Sequence, residues 1–152
     1  MKIYDSLFGS SEMLCEQVVR HVREGLVEDG PVVAVVDGKG GCWSAAERFS
    51  LTGGEEAIST LCGRVADGWE PVRGKIGDWG IVAGELRAGG RHQGYVVIGL
   101  ADVGESGHEA VLEMLLNQVN TIAELVYKNN QLHHHQLKSM SVIGPHEASV
   151  VN

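Results

Sequence analysis

The sequence predicts an α+β domain, in which a central antiparallel β-sheet is flanked by helices and followed by a long C-terminal helix. The sheet is indicated by two β-rich runs, 79–88 and 91–100, that flank Gly89-Gly90. Two glycines suit a two-residue hairpin turn, because both turn positions need positive φ. The long helix is indicated by residues 106–140, which contain no proline and, after their second residue, no glycine. Helical apolar spacing nearer the N-terminus adds further helices.

The predicted long helix has a regular apolar spacing. Ser106 and Glu109 form a Ser-x-x-Glu capping box that marks its start. Alternating steps of three and four residues, the spacing of a coiled-coil seam, connect Leu112, Leu115, Val119, Ile122, Val126, Asn129 and His133. A helix of about 34 residues is roughly 50 Å long, which exceeds the width of a domain of this size. The sequence therefore predicts a homodimer with these seven residues in the interface.

The polarity of this helix changes near Val126, because its seam is apolar up to that point and polar from Asn129 onward. We expect residues 1–130 to form the domain. Residues 131–152 would be a helical extension with a flexible, frayed tail, since Gly144-Pro145 interrupt the helical pattern. A chain truncated after Val126 is expected to keep its fold and to show weaker dimerisation or signalling.

The other elements follow from apolar periodicity and turn residues. Apolar residues at four-residue steps predict a first helix, and a Thr-x-x-Glu box at Thr52 starts a second one. A continuous β-branched run is typical of a strand covered on both faces. Before the hairpin, the predicted elements are a helix over 9–28, a strand over 31–36, a turn over 37–41, a weaker strand over 42–49, a helix over 52–65, and an irregular segment over 67–78 that includes a short edge strand at 71–72.

Simple hairpin geometry around the glycine turn predicts the pairing of the two long strands. It places Val82 opposite Val97 and Ile81 opposite Ile98. These apolar pairs occupy both faces of the hairpin. The sheet is therefore expected to be covered on both sides.

Composition and charge narrow the class of protein. Twelve Lys and Arg against twenty Asp and Glu give a net charge of −8, which argues against binding to nucleic acid or to an anionic membrane surface. The apolar runs are of strand length and the N-terminus has no signal-peptide core, so we expect a cytoplasmic protein. Three widely spaced cysteines, at 15, 42 and 62, fit neither a disulfide framework nor a metal site.

Three stretches together resemble a known family. Residues 32–38 form a first central strand, Glu85 to Leu100 form a strand, glycine turn and second strand, and Asn117-Gln118-Val119 with Ile122 and Leu125 lie in a final helix. In this order they are similar to the GAF-type sensory domains of bacterial signalling proteins, over about residues 10 to 130. The resemblance implies a sheet with the first and last helices on one face and a small-molecule pocket on the other.

The same resemblance implies dimerisation through the terminal helices and transmission of a signal along the last one to a downstream signalling protein. The sequence departs from several branches of the family. It has no Asn-Lys-x-Phe-Asp-type cyclic-nucleotide signature, no Cys-His pair for a linear tetrapyrrole, and no cysteines where the methionine sulfoxide reductase branch has its redox centre. Neither a cofactor nor a ligand can be named from it.

Aromatic residues are the candidate ligand-binding groups. Trp69 and Trp79 border the irregular segment where the resemblance implies a pocket lid, and Trp43 follows the first turn. Tryptophan offers flat apolar area and one N–H donor for a ring-shaped ligand. The alternative is that the three residues simply fill the open side of the sheet.

Histidines and cysteines favour structural roles. Consecutive helical residues such as 133–135 point about 100° apart, so these three histidines do not predict a metal site. His133 lies in the predicted seam, where its protonation is expected to weaken pairing. Cys15 and Cys62 lie on apolar helix stripes and are expected in the core, whereas a reactive thiol at Cys42 stays open.

The sequence thus predicts a dimeric sensory or regulatory domain that binds a small molecule or transmits a signal, and that has no catalytic role. No Ser/His/Asp set and no close carboxylate pair proposes catalysis. Two alternatives remain. One is a cysteine-dependent small-molecule redox enzyme, and the other is a dimerisation scaffold that binds no ligand.

Overall fold

The structure of the chain is a computed structural model that describes residues 11–25, 30–38, 42–44, 55–76, 78–101 and 108–151. Its elements are helix α1 (Ser11–Gly25), strands β1 (Val32–Asp37) and β2 (Cys42–Ser44), helix α2 (Glu55–Gly68), strands β3 (Val72–Ile76), β4 (Trp79–Ala88) and β5 (Arg91–Ala101), and helix α3 (His108–Val151).

The sheet has five strands in the order β2-β1-β5-β4-β3, and each neighbouring pair is antiparallel. This confirms the predicted α+β class, with its central antiparallel sheet, flanking helices and long last helix. The short strand expected at 71–72 is the five-residue edge strand β3. The turn at residues 39–41 and both capping boxes lie wholly or partly outside the described residues.

The hairpin turn forms as predicted, but the strand pairing differs by one residue. Gly89 and Gly90 have φ of 64° and 72°, as a primed turn requires. Val82 nevertheless pairs with Ile98, because Arg87 pairs with His92 while Leu86 pairs with Gly94. Residue 93 is therefore the extra residue of a β-bulge. The bulge shifts all later pairs, so the predicted pairing of Val82 with Val97 was wrong.

Each face of the sheet carries its own hydrophobic core, so the prediction of a sheet covered on both sides is confirmed. Helices α1 and α3 cover one face, and Cys15, Val35, Val96 and Ile98 are buried there. Helix α2 covers the other face over a second set of buried residues: Val32, Ala34, Val36, Ile58, Leu61, Cys62, Val65, Ile81, Ala83 and Val97. Core packing of Cys15 and Cys62 is thereby confirmed.

Helix α3 is much longer than the sheet it packs on. Up to residue 139, where the description of burial ends, its last buried residue is Asn130, and the helix continues to Val151, about 32 Å further at about 1.5 Å per residue. The frayed tail expected around Gly144-Pro145 is instead helical. A proline in a helix removes one backbone hydrogen bond, and the other bonds of the segment can persist around it.

Candidate functional site

The bulge in the β4–β5 hairpin is held by a buried glutamine. Gln93 is 7% exposed, and its Nε2 donates to the carbonyl of Ala88 at 3.1 Å. Its Oε1 accepts a hydrogen bond from Oγ of Ser11 at 2.7 Å, and its backbone carbonyl accepts a weak one from the Cys15 thiol at 3.8 Å. The extra residue of the bulge therefore ties the hairpin to α1.

On α3, the side chain of Asn120 bonds to the backbone of β4 on both sides of residue 86. Its Oδ1 accepts from the backbone N–H of Arg87 at 2.9 Å, and its Nδ2 donates to the carbonyl of Glu85 at 3.1 Å. A bulge interrupts the regular ladder of backbone hydrogen bonds. One carboxamide thus supplies both a donor and an acceptor where the ladder is irregular, and it fixes α3 to that point.

Two more contacts hold α3 to the turn of the hairpin. The carboxylate of Glu124 accepts from the backbone N–H of Gly89 at 2.9 Å. The ring of Tyr127 lies against the same glycine so closely that an added Cβ would be 2.3 Å from it. One turn before Asn120, Leu116 packs on Gly84 in the same way. Successive turns of α3 therefore follow β4 to its end.

A polar and aromatic cluster lies on the opposite face of the hairpin. The carboxylate of Glu85 contacts Nδ1 of His92 at 2.8 Å and Nη1 of Arg87 at 3.1 Å. The His92 ring makes edge contacts with Tyr95 and Trp69, with centroid distances of 5.0 and 5.1 Å. Partial burial, and next the proximity of Cys62 and of Glu85, raise the pKa of Tyr95. We call Trp69, Glu85, Arg87, His92 and Tyr95 the hairpin cluster.

Glu85 connects the two faces. Its side chain belongs to the hairpin cluster, while its backbone carbonyl accepts the hydrogen bond from Asn120 of α3. A change in the contact between the carboxylate of Glu85 and the ring of His92 would therefore act on the same residue that α3 holds. The site is a structural link between the α2 face of the sheet and the long helix.

The three tryptophans do not line a common pocket. Trp69 is 55% exposed and contacts His92 near the hairpin turn, whereas Trp79 packs on the core beneath α2. His92 pairs with Arg87, and the segment of β4 from Trp79 to Arg87 spans about 26 Å at about 3.3 Å per residue. Trp69 and Trp79 therefore lie near opposite ends of β4, and a ligand-binding role for either stays a prediction. The side chain of Trp43 lies outside the described residues.

Helix α3 carries two stripes of seam spacing, and the predicted interface mixes them. The inner stripe is buried within the chain and consists of Leu112, Leu116, Val119, Ala123, Val126 and Asn130. The outer stripe is exposed or half-buried and consists of Val111, Leu115, Gln118, Ile122, Leu125, Asn129, Leu132 and Gln136. Leu112, Val119 and Val126 of the predicted interface are buried in the core of the chain itself. For Leu115, Ile122, Asn129 and the exposed His133, the dimer interface stays a prediction.

A groove of about 440 Å³ lies between α1 and α3, lined by Gln17, His21, Ile122, Leu125, Val126, Asn129 and Asn130. In its wall, the carboxamides of Gln17 and Asn130 bind each other, with N···O distances of 2.7 and 3.4 Å. Asn130 is 5% exposed, so this pair is a polar contact inside an otherwise apolar helix interface. It joins the first helix to the last.

The thiol of Cys15 is not activated as a nucleophile. Burial, with a smaller effect of the nearby Asp37 charge, raises the pKa of the Cys15 thiol to about 12. A thiol with so high a pKa is a poor nucleophile at neutral pH.

Within the described ranges, no three His, Cys, Asp or Glu side chains are grouped as metal ligands. Among the helices that are described, none is long and apolar enough to cross a bilayer.

Comparison with known proteins gives a likeness of fold. No protein-family model and no curated protein matches the sequence. A chain of the crystal structure of the E. coli DhaR(N)-DhaL complex is similar in fold, with a TM-score of 0.54 and 15% identity. The match covers 91% of this chain and 56% of that chain. At this identity the likeness concerns the fold alone.

Sequence reasoning missed the residues that join the sheet to α3. Gln93 could not be identified because nothing in the sequence marks a bulge, and its partner Ser11 on α1 is distant in sequence. Asn120 does carry a weak signal, since it is a polar residue flanking the apolar stripe of an amphipathic helix. Glu85 and His92 lie within the hairpin segment that carried the family resemblance.

Proposed function

We propose that this chain is a GAF-like sensory or regulatory domain in which a change at the α2 face of the sheet alters the long helix α3. The observation that carries the proposal is the double role of Glu85, whose carboxylate bonds to His92 while its carbonyl bonds to Asn120. Packed elements prefer discrete arrangements, so a small shift at the hairpin can be passed on as a shift of the whole helix.

The arrangement of layers supports this proposal. Helices α1 and α3 share one face and α2 covers the other, which is the arrangement that the resemblance to GAF domains implies. A small molecule would bind on the α2 side, where the exposed ring of Trp69 offers it apolar contact beside His92. The domain itself would carry out no catalysis.

A protein partner would receive the signal. Helix α3 continues past Asn130, and none of its residues from 131 to 139 is buried by the fold, so this segment is available to another protein. The solved structure with a similar fold is a complex named for two proteins, DhaR(N) and DhaL. This supports, for the present chain, an output through protein contact.

Hydrogen exchange of the full chain tests the link between hairpin and helix. Glu85→Gln removes the charge that faces His92 and Arg87, and we expect it to change amide exchange in residues 131–139 by about fivefold or more, the lower end of common coupling energies. When the chain also carries Asn120→Ala, Glu85→Gln should have little effect on amide exchange in residues 131–139. Glu56→Gln, an exposed carboxylate on α2, is the matched control.

Unchanged exchange in Glu85→Gln, or an equal change with and without Asn120, would remove the proposed mechanism. Native mass spectrometry of freshly purified protein addresses the ligand separately. A retained mass that is lost in Trp69→Ala supports a small-molecule sensor. If the protein retains no ligand and Glu85→Gln leaves amide exchange in α3 unchanged, a dimerisation scaffold that binds no ligand is favoured.

A further inference from the structure

Charge is distributed unevenly along the chain. Residues 85–100 and 120–146, which hold the hairpin turn and most of α3, include four of the twelve Lys and Arg residues but two of the twenty Asp and Glu residues. The rest of the chain therefore has eight basic and eighteen acidic residues, a net charge of −10. From residue 125 to 146 the sequence has no Asp or Glu, and four of the seven histidines lie there. An acidic chain thus contains a basic part.

The fold places the two basic stretches side by side. Asn120, Glu124 and Tyr127 form the face of α3 that contacts β4 and the hairpin turn. Steps of three and four residues keep to one face of a helix, so this face continues beyond the turn to Lys138. Lys128 follows Glu124 by four residues and is exposed. The basic residues of α3 therefore begin where the helix meets the turn.

Around the turn, the acidic side chains make contacts within the fold and the basic side chains are exposed. The side chain of Glu85 is 10% exposed and is paired within the hairpin cluster, and Glu124 accepts from a backbone N–H of the turn. By contrast, the side chain of Arg87 is 58% exposed, and its Nη2 donates to a carbonyl of the turn at 3.1 Å. Arg91, directly after the turn, is also exposed. Positive charge is therefore what this end of the sheet presents to solvent.

We call Arg87, Arg91, Lys128, His135 and Lys138 the basic surface. All five residues are exposed. The members on α3 extend from 128 to 138, about 15 Å at about 1.5 Å per residue. No residue of α3 from 131 to 139 is buried by the fold. The surface is thus long enough to accommodate a partner segment of about three helical turns.

Charge complementarity indicates which kind of partner fits. Opposite potentials on two surfaces steer their encounter and disfavour wrong partners, so a basic surface selects an acidic one. A long nucleic acid fits poorly, because the net charge of −10 on the rest of the chain repels a polyanion. A short acidic protein segment can contact the basic surface alone. The charge pattern therefore favours a protein partner over a nucleic acid.

We propose that the basic surface docks an acidic segment of a different protein, whose carboxylates bind Lys128 and Lys138 on α3 and Arg91 at the turn. Ammonium and guanidinium groups are donors only, and carboxylates accept from them in charge-assisted hydrogen bonds. Such a partner touches both the turn and α3, the two elements that the contacts of Glu85, Asn120 and Glu124 connect. This inference rests on the proposed function in one respect, since it names the chemistry of the partner to which α3 passes a signal.

Fluorescence anisotropy of the full chain with a labelled decaglutamate peptide tests the surface. At about 50 mM salt, where screening is weak, Lys128→Glu and Lys138→Glu should each raise Kd by about fivefold or more, the effect of losing one good surface ion pair. Lys128→Arg keeps the charge and should bind like the parent chain. These residues are exposed, so circular dichroism should show an intact fold in each variant.

Lys75→Glu is the matched control, because it makes the same change of charge at another exposed lysine. Lys75 pairs with Gly80, at the opposite end of β4 from the hairpin turn. We expect this variant to change Kd less than about twofold. Raising the salt to about 300 mM should weaken binding by the parent chain, since exposed charges are then screened.

Three results of the binding measurements would overturn the proposal. The first is a parent chain that does not bind decaglutamate at the lower salt concentration. The second is an equal loss of affinity in Lys128→Glu and Lys75→Glu, which would reflect net charge alone. The third is a labelled decathymidylate that binds as tightly as decaglutamate and is weakened by Lys128→Glu, which would assign the surface to single-stranded nucleic acid.

Sedimentation velocity tests whether a second copy of the chain is the occupant. Self-association of the parent chain at low salt that Lys128→Glu abolishes would mean that the basic surface binds the acidic part of another copy, and the proposal would fall. The exchange experiment on Glu85 is independent of these measurements. Decaglutamate binding without that coupling would remove the sensory mechanism and leave the docking surface standing, and coupling without binding would remove the docking surface alone.

Discussion

Gln17 and Asn130 bind each other through both ends of their carboxamides and so join the first helix to the last. Nδ2 of Asn130 donates to Oε1 of Gln17 at 2.7 Å, and Nε2 of Gln17 donates to Oδ1 of Asn130 at 3.4 Å. Asn130 is 5% exposed and Gln17 is half-buried. Each amide therefore depends on the other for its hydrogen bonds.

Removing one member of this pair should lower the free energy of unfolding more than replacing both members by apolar residues. Asn130→Ala leaves Gln17 without its partner, and we expect the free energy of unfolding to fall by about 2 kcal/mol. The double variant Gln17→Leu with Asn130→Leu removes both polar groups, and it should recover much of that loss. Urea denaturation at fixed protein concentration measures both, with Asn117→Ala on the exposed side of α3 as the control. A double variant less stable than Asn130→Ala would contradict the pairing argument.

The burial of Asn130 also shows what apolar periodicity cannot predict about α3. The periodicity alone predicted a long amphipathic helix. Neighbouring residues of a helix point only about 100° apart, so two adjacent stripes can have the same residue spacing. Leu112 and Leu115 belong to different stripes, although the steps between them suit a single seam. Which stripe faces the sheet is decided by contacts such as Leu116 on Gly84, and those involve residues distant in sequence.

The strands of the sheet could also be predicted from local sequence signals, but the bulge between them could not. β-branched runs and a Gly-Gly turn are local signals, and they predicted β1, β4 and β5 with bounds correct to within a residue. The bulge was not predictable, because it depends on Gln93 meeting Ser11 and Ala88 in the folded chain. The bulge sets which residues of the two strands face each other in the hairpin cluster. The candidate site therefore could not be predicted, even though its strands were.

The two turn glycines should differ sharply in their tolerance of alanine. Both have positive φ, so each substitution introduces left-handed strain of about 1 kcal/mol. A Cβ at Gly90 meets open space, whereas one at Gly89 would be 2.3 Å from the Tyr127 ring. Thermal unfolding should therefore show Gly89→Ala to be less stable than Gly90→Ala by about 1 to 3 kcal/mol, the usual range for overpacking. Equal losses of stability would mean that the Tyr127 ring of α3 does not pack tightly against Gly89 of the turn.

Stability should fall in alkaline solution through Cys15. Burial raises the pKa of its thiol from 9.0 to about 12, so between these values the unfolded chain ionises Cys15 while the folded chain keeps it neutral. The contribution is fully present below pH 9 and is lost as the pH rises toward 12. By linkage the loss is about 1.4 kcal/mol at pH 10 relative to pH 8.

Other groups also titrate in this range, so the test compares two pH profiles. Cys15→Ala removes the thiol, and urea denaturation at pH 8 and pH 10 should show a smaller loss for this variant than for the parent chain. The difference between the two losses measures the Cys15 contribution. Parallel profiles would mean that ionisation of Cys15 has no part in alkaline unfolding.

We expect the point at which α3 can be shortened to lie further along than Val126. Truncation after Val126 was expected to spare the fold, yet it removes the ring of Tyr127 that packs on Gly89 and the side chain of Asn130 that binds Gln17. We expect a chain ending at Gln131 to unfold at nearly the parent temperature, and a chain ending at Val126 to lose about 3 kcal/mol or more from these two contacts together.

Protein concentration has to be varied in this comparison, because both truncations also shorten the outer stripe and would weaken the predicted dimer. At low concentration, where the parent chain would be monomeric, the chain ending at Gln131 should match the parent while the shorter chain remains less stable. Calorimetry over a range of concentrations separates the two effects. Equal stability of both truncated chains at every concentration would show that the fold ends at Val126, and that the contacts of Tyr127 and Asn130 contribute nothing to it.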